Sequence, residues 1–195
     1  MIVLAGAVPA VSFRFCLLKG CVYMRYAVLY SSGTGNTEQV ARSIYAALPA
    51  GEARLEAVGP DTAVPEEEVL FLGFWTDKGV CPPAMQALFA KLSGKQVALF
   101  GTAGFGGSQA YFDAILQRTQ ALLPAGNIVL GGWMCQGRMP AAVRVRYEAM
   151  AAQNPDDPKP ASFLANFDHA LSHPDQSDLA AASAFAAEMA AKAKG

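Results

Sequence analysis

The chain has no surplus of positive charge, no cysteine framework and almost no histidine. Its 15 Lys and Arg are matched by 16 Asp and Glu, for a formal charge of −1. The basic footprint of a nucleic-acid-binding domain is therefore missing. The four cysteines, Cys16, Cys21, Cys81 and Cys135, have neither paired zinc-ligand spacing nor the density of a disulfide scaffold. They read as reduced thiols of a cytoplasmic protein, with Cys81 flanking a loop where a reactive thiol is conceivable. The apolar opening Met1–Phe13 is too short to span a bilayer and lacks the positive n-region of a secretory signal. We expect no membrane partner.

What the chain does have is core-forming material: 53% of its residues are hydrophobic and 16% charged. At 195 residues that suffices for one domain with a sizeable core and no disulfides. Residues 1–23 stand apart. Met24 and Arg25 lead straight into the apolar run Tyr26-Ala-Val-Leu-Tyr30, so we expect Met24 to be the biological start and residues 1–23 a non-native or unstructured extension. Without Arg14 and Lys19 the formal charge falls from −1 to −3.

From Met24 onward, short apolar runs alternate with helical periodicity. Tyr26–Ser31, Val69–Trp75, Gln96–Gly101 and Asn127–Met134 read as strands buried on both faces, the signature of a parallel sheet. Arg54–Val58 reads as a weaker edge strand. Val40, Ile44 and Leu48 recur at helical spacing over 36–48, and Pro49 and Gly51 end that helix. Met85, Leu88, Phe89 and Leu92 form a second stripe, entered through Pro82-Pro83. Ser108 can cap a third helix with Phe112, Ile115, Leu116 and Leu122 on its apolar face. Five strands in strict alternation with four or five helices over 25–137 specify a doubly wound α/β sheet covered on both faces.

A helical extension follows at 138–195, in the same single domain spanning 24–195. It comprises a helix over 140–153, a proline-rich connector at 154–160, and helices over 163–171 and 175–193. Leu179, Ala182, Phe185 and Met189 are expected to face the sheet. Asp168, His169, His173, Asp175 and Asp178 invite a metal reading. We expect none, because Ser172-His-Pro-Asp175 suits a helix start, with Pro174 in the first turn and carboxylates near its positive end.

Ligands in such sheets bind beyond the carboxyl ends of the strands, which selects the loops 31–37, 75–82, 102–108 and 134–140. The first reads Ser31-Ser-Gly-Thr-Gly-Asn-Thr37 between a buried strand and a helix. Its glycines let backbone N–H groups turn inward at a helix N-terminus, and its hydroxyls add donors, making a phosphate cradle without a cation. The Gly-Lys-Ser/Thr ending of a nucleoside-triphosphate loop is absent, as is the three-glycine dinucleotide fingerprint.

Ser32-Gly-Thr-Gly-Asn-Thr-Glu38 resembles the FMN phosphate loop of the flavodoxin family. The resemblance implies the sheet order 2-1-3-4-5, the family's known arrangement. It also implies that FMN is the cofactor and that Ser32, Thr34, Asn36 and Thr37 hold its phosphate, with the Gly33 and Gly35 backbone close by. In flavodoxins the loop after the third strand lies against the isoalloxazine. Trp75, Thr76 and Gly79 are the candidates here, with Gly79 able to reorient the backbone near the ring. Thr102, Ala103, Gly104, Phe105 and Gly106 would form the third wall, Phe105 lying over the ring.

A narrower resemblance rests on Gly73–Gly79, Gly101–Ser108, Met134–Met139 and Asn166–Asp175. These segments are similar to flavodoxin-like proteins of anaerobic gut bacteria, some of which accompany bilirubin reductase. An electron carrier docking with a redox partner protein, an FMN-dependent NAD(P)H oxidoreductase acting on a quinone or other small acceptor, and a flavin-free binding module are all compatible with the motifs. Carrier flavodoxins are more acidic than this chain and lack so long a C-terminal extension. We expect a monomer that moves electrons through FMN rather than a stand-alone enzyme. N-terminal sequencing of the native protein is expected to return Met24; recovery of Met1 or Ile2 would disprove the internal start.

Overall fold

A computed structural model describes residues 25–106 and 108–193. The expectation about residues 1–23 lies outside the described residues. The elements in chain order are β1 (Tyr26–Tyr30), α1 (Asn36–Ala47), β2 (Ala53–Ala57), β3 (Val69–Trp75), α2 (Pro83–Phe89), β4 (Gln96–Ala103), α3 (Gln109–Gln120), β5 (Ile128–Gln136), α4 (Ala141–Gln153), α5 (Lys159–Ala170) and α6 (Gln176–Lys192). The five strands form one parallel sheet in the order β2-β1-β3-β4-β5, the expected doubly wound α/β arrangement.

Side chains alternate across each strand, and the sheet buries both faces. Tyr26, Val28, Phe71, Ala98 and Phe100 point to one face, where Val40, Ala41 and Ile44 of α1 and Ala182, Phe185, Ala186 and Met189 of α6 cover them. Ala27, Leu29, Leu70, Leu72, Phe74, Val97 and Leu99 point to the other, beneath Met85, Leu88 and Phe89 of α2 and Ile115 and Leu116 of α3. The last helix is thus half of one layer of the sandwich. As expected, Ala182, Phe185 and Met189 are buried, and Leu179 packs partly buried beside them.

Several expectations need correction. Only α1, α2 and α3 fall within 25–137 among the described residues, so alternation is not strict. β2 runs to β3 through the helix-free segment 58–68, where Gly59, Pro60 and Pro65 remove donors and break periodicity. β4 and β5 extend past the expected ends to Ala103 and Gln136, because parallel pairing continues through Thr102↔Cys135 and Ala103↔Gln136. α5 begins at Lys159 with Pro160 in its first turn, so the end of the proline-rich connector is helical, as proline permits there. Leu122 is exposed and Leu123 packs instead, since α3 stops at Gln120. Pro174 lies ahead of the last helix, whose cap is Asp175: it accepts from the Ser177 and Asp178 N–H groups in a full capping box.

The centre of the sheet tolerates no added volume. A Cβ at Gly73 would sit 2.1 Å from Cζ of Phe100, whose ring covers the glycine. Gly73→Ala is expected to cost about 1–3 kcal/mol, measurable as a lowered denaturation midpoint.

Candidate functional site

Four loops converge at the carboxyl ends of β1, β3, β4 and β5, the switch region of a doubly wound sheet. They enclose a half-open cavity of about 680 Å³, within the range of small-molecule sites. Of the residues expected at the site, Gly33, Thr34, Asn36, Trp75, Thr76, Gly79, Thr102, Ala103, Gly104 and Phe105 line it. Ser32, Gly35, Thr37 and Gly106 do not line it and sit in the supporting turns.

The β1–α1 loop is arranged to donate. Gly35 adopts the left-handed conformation (φ 83°) as N-cap of α1, and no side chain caps that terminus, so the first-turn N–H groups remain available to an anion. The Ser32 hydroxyl accepts from the Gly35 N–H at 3.1 Å, and the Thr34 hydroxyl accepts from Nδ2 of Asn36 at 2.8 Å. Each hydroxyl then keeps its own proton for another acceptor. Thr37 is different. It is fully buried, and its hydroxyl pairs with that of Thr102 at 2.9 Å, tying α1 to the end of β4.

Asn36 joins two loops far apart in sequence. Its Nδ2 also donates to the Arg138 carbonyl at 2.8 Å, while its Oδ1 is buried without a hydrogen-bond partner. A Cβ at Gly137 would meet Asn36 at 2.8 Å, so the close approach needs glycine.

The β3–α2 loop is a tight turn. Asp77 and Val80 exchange backbone hydrogen bonds of 2.9 and 3.1 Å around Lys78 (φ 49°) and Gly79 (φ 86°). Both central residues are left-handed, as in a type I′ turn. Glycine suits this; lysine is strained by its Cβ. The Arg118 guanidinium donates from Nε to the Gly79 carbonyl at 2.9 Å. Trp75, at the end of β3, is 36% exposed, with its indole 3.8 Å from where a Gly33 Cβ would lie. It bridges the two loops instead of ending in the core.

The third loop is clamped from behind. The Gly104 carbonyl accepts from Nε2 of Gln136 (3.0 Å) and Nδ2 of Asn166 (3.1 Å). Oδ1 of Asn166 accepts from Gln136 (3.1 Å) and from the Gly106 N–H (3.4 Å). Oε1 of Gln136 pairs with Nδ1 of His169 at 2.8 Å. Phe105 lines the cavity and packs edge-on against Phe163 of α5, with ring centroids 5.6 Å apart.

Reasoning from sequence missed the contribution of the extension. Arg138, Met139 and Pro140, with Val143, Arg146 and Tyr147 of α4, form one wall, and Tyr111 of α3 lines the cavity too. The loop 134–140 was a signal at the strand-end position, but α4 carries no clear apolar stripe to show which face turns inward. Among the described residues no carboxylate lines the cavity, whereas Lys78, Arg138 and Arg146 do. The cradle of loop 31–37 is itself uncharged, as expected, but the cavity around it is not.

The other groups considered have structural partners. His173 pairs with Asp178 at 2.6 Å and stacks on His169. Asp175 is occupied by the cap, and its carboxyl lies below the usual range because the Asp178 N–H and Ser177 donate to it. Burial pushes the Cys81 thiol up to about 12 and raises that of Cys135, with Asp178 and Asp175 adding to the effect. Thiolate chemistry at neutral pH is thereby suppressed at both.

The flavodoxin domain model matches residues 27–187. The chain belongs to the flavodoxin family. It is 40% identical over 176 residues to the flavodoxin-like domain-containing protein BilS of Clostridium symbiosum, covering 81% of this chain and 92% of that one. It is 39% identical over 114 residues to the flavodoxin of Megasphaera elsdenii, covering 53% and 80%. A Streptococcus pneumonia flavodoxin shares the fold at a TM-score of 0.55 and 15% identity, over 86% of this chain and 98% of that one. The family's cofactor is FMN and its role is electron transfer. This flavodoxin's cavity fits that cofactor: hydroxyl donors and an uncapped helix at one end, and aromatic and glycine walls at the other. Among the described residues, no helix is long and apolar enough to cross a membrane.

Two outcomes are expected. Asn166→Ala removes the clamp on Gly104 and should lower stability by about 1–3 kcal/mol, read by urea denaturation. Iodoacetamide near neutral pH should leave Cys81 and Cys135 unlabelled in the folded protein and alkylate both after denaturation, read by peptide mapping.

Proposed function

We propose that this flavodoxin is an FMN-bearing electron carrier that exchanges electrons with a partner reductase as a cytoplasmic monomer. The observation that carries the reading is the donor arrangement of loop 31–37 at the mouth of an uncapped helix. Bound FMN supplies the electron transfer; the protein supplies binding, orientation and electrostatics. In this reading the Ser32 and Thr34 hydroxyls and the backbone N–H groups of Gly33, Asn36 and Thr37 would donate to the phosphate, with the Gly35 backbone close by. Thr37 acts through its backbone, because its hydroxyl is engaged with Thr102. Trp75, Thr76 and Gly79 on one side, and Thr102–Phe105 on the other, would shield the ring from water, with Gly106 supporting from behind. The cations on the wall oppose the charge of the phosphate and favour added negative charge on the ring, which raises the potential relative to an uncharged pocket.

The partner we favour is a reductase of the kind accompanied by the flavodoxin-like proteins that segments 73–79, 101–108, 134–139 and 166–175 resemble, bilirubin reductase among them. A second reading, direct reduction by NAD(P)H, draws on the wall that α4 adds, since Arg146 and Tyr147 extend the cavity beyond the loops.

The test is to load the protein with FMN, record its visible spectrum and add NADH or NADPH. The carrier reading expects no bleaching until a separate reductase is present. Bleaching by the nucleotide alone would establish the enzyme, and a protein that takes up no FMN would leave only a binding module. Thr34→Val removes one donor to a charged group, a loss of about 1.5–3 kcal/mol. FMN affinity should then fall roughly 10- to 150-fold in a fluorescence titration.

A further inference from the structure

We propose that Arg138 supplies a cation to the FMN phosphate and makes the site selective for the phosphorylated flavin over riboflavin, which lacks that group. The inference rests on the FMN reading and adds one residue to it. Loop 31–37 offers the phosphate only neutral donors and the end of α1, whose partial charge is about +0.5. A dianion held by these alone is compensated only in part. Lys78, Arg138 and Arg146 line the cavity, and they differ in what fastens them. Lys78 belongs to the β3–α2 turn and Arg146 to α4; among the described residues neither is hydrogen-bonded to loop 31–37. Arg138 is. Its carbonyl accepts from Nδ2 of Asn36 at 2.8 Å, and the same nitrogen donates to the Thr34 hydroxyl at 2.8 Å. One amide nitrogen thus separates the Arg138 backbone from a hydroxyl that would donate to the phosphate.

That backbone is fixed on its other side too. The Arg138 N–H donates to the His173 carbonyl at 2.9 Å, and the Gly137 N–H to the Ala103 carbonyl at 2.9 Å. A Cβ at Gly137 would lie 2.8 Å from Asn36, so the segment lies flush against the first residue of α1. Arg138 itself is exposed, and its guanidinium has no hydrogen bond or ion pair with a described residue. Other cations share that freedom; the fastening to loop 31–37 is what sets this one apart. The acids around it already have donors. Glu38, in the first turn of α1, is held by Arg42 at 2.6 Å. Asp175 accepts from the Ser177 and Asp178 N–H groups, while Asp178 accepts from the Asp175 N–H and pairs with His173. A long guanidinium side chain on a fixed backbone, beside an anion site with no cation of its own, forms a charge-assisted bond to that anion.

The experiment titrates the flavin-free full-length protein with FMN and with riboflavin, following flavin fluorescence, for the wild type, R138Q and R138K. It is run at about pH 8, above the second phosphate pKa of about 6, so the phosphate is a dianion. The wild type should bind FMN more tightly than riboflavin, and added salt should weaken FMN more than riboflavin. R138Q should lose roughly tenfold or more in FMN affinity, keep its riboflavin affinity within about twofold, and show a flatter salt dependence. R138K, which keeps the charge without the planar fork, should recover part of the loss. An unchanged FMN affinity in R138Q would overturn the proposal. An equal loss for both flavins would assign Arg138 to the ring or the fold and overturn it too. So would R138K binding no better than R138Q, since charge would then not be the cause. A lowered urea midpoint in flavin-free R138Q would count against it as well, because a guanidinium without a protein partner is dispensable to folding. A wild type that takes up no FMN would instead remove the cofactor reading, and this inference with it.

Discussion

One amide holds the site together. The Asn36 side chain stands at the first turn of α1, donates within its own loop to Thr34, and donates across the chain to the Arg138 carbonyl. The bond to Arg138 brings the segment after β5 against the segment after β1, and buried polar bonds of this kind are costly to lose. Gly137 makes the approach sterically possible. Because α4 begins directly after this segment, the position of Arg138 decides where the extension starts. Arg146 and Tyr147 reach the cavity as a consequence.

The extension has two separate roles. α6 belongs to the sandwich: it packs beside α1 and buries the same face of the sheet. α4 and α5 form a hairpin that touches the site from outside. Asn166 grips Gly104 and Gly106, and Phe163 meets Phe105 and Tyr147. Between them, Gln136 and Asn166 give the glycine-rich loop a back support that its own residues cannot provide.

Much of this was legible in the residues. Val69–Trp75 and Tyr26–Tyr30 are uninterrupted apolar runs because both their faces are covered, and such runs announce themselves. The β1–α1 loop is readable because only glycine and small hydroxyl residues allow that turn to donate inward. The order of strands came from the family resemblance, since periodicity carries no information about neighbours. Other features were opaque for identifiable reasons. Thr37 is readable as a ligand because its type suits phosphate, but its buried hydroxyl bond to Thr102 could not be foreseen from sequence. The cations on the wall were invisible because four strands of sequence lie between loop 31–37 and Arg138 and Arg146. A helix with valine at alternate positions also hides its inward face.

The partnership of α1 with α6 bears on how the chain is made. Of the described elements β1 leaves the ribosome first, while part of the layer that covers it is α6, which follows every other described element. Until then the Tyr26, Val28 and Phe71 side of the sheet lacks part of its cover. Long-range closure of this sort slows folding and leaves apolar strands open to wrong contacts. The alanine-rich α6 is therefore a latch on β1, and loss of this helix would leave that face of the sheet with the cover of α1 alone.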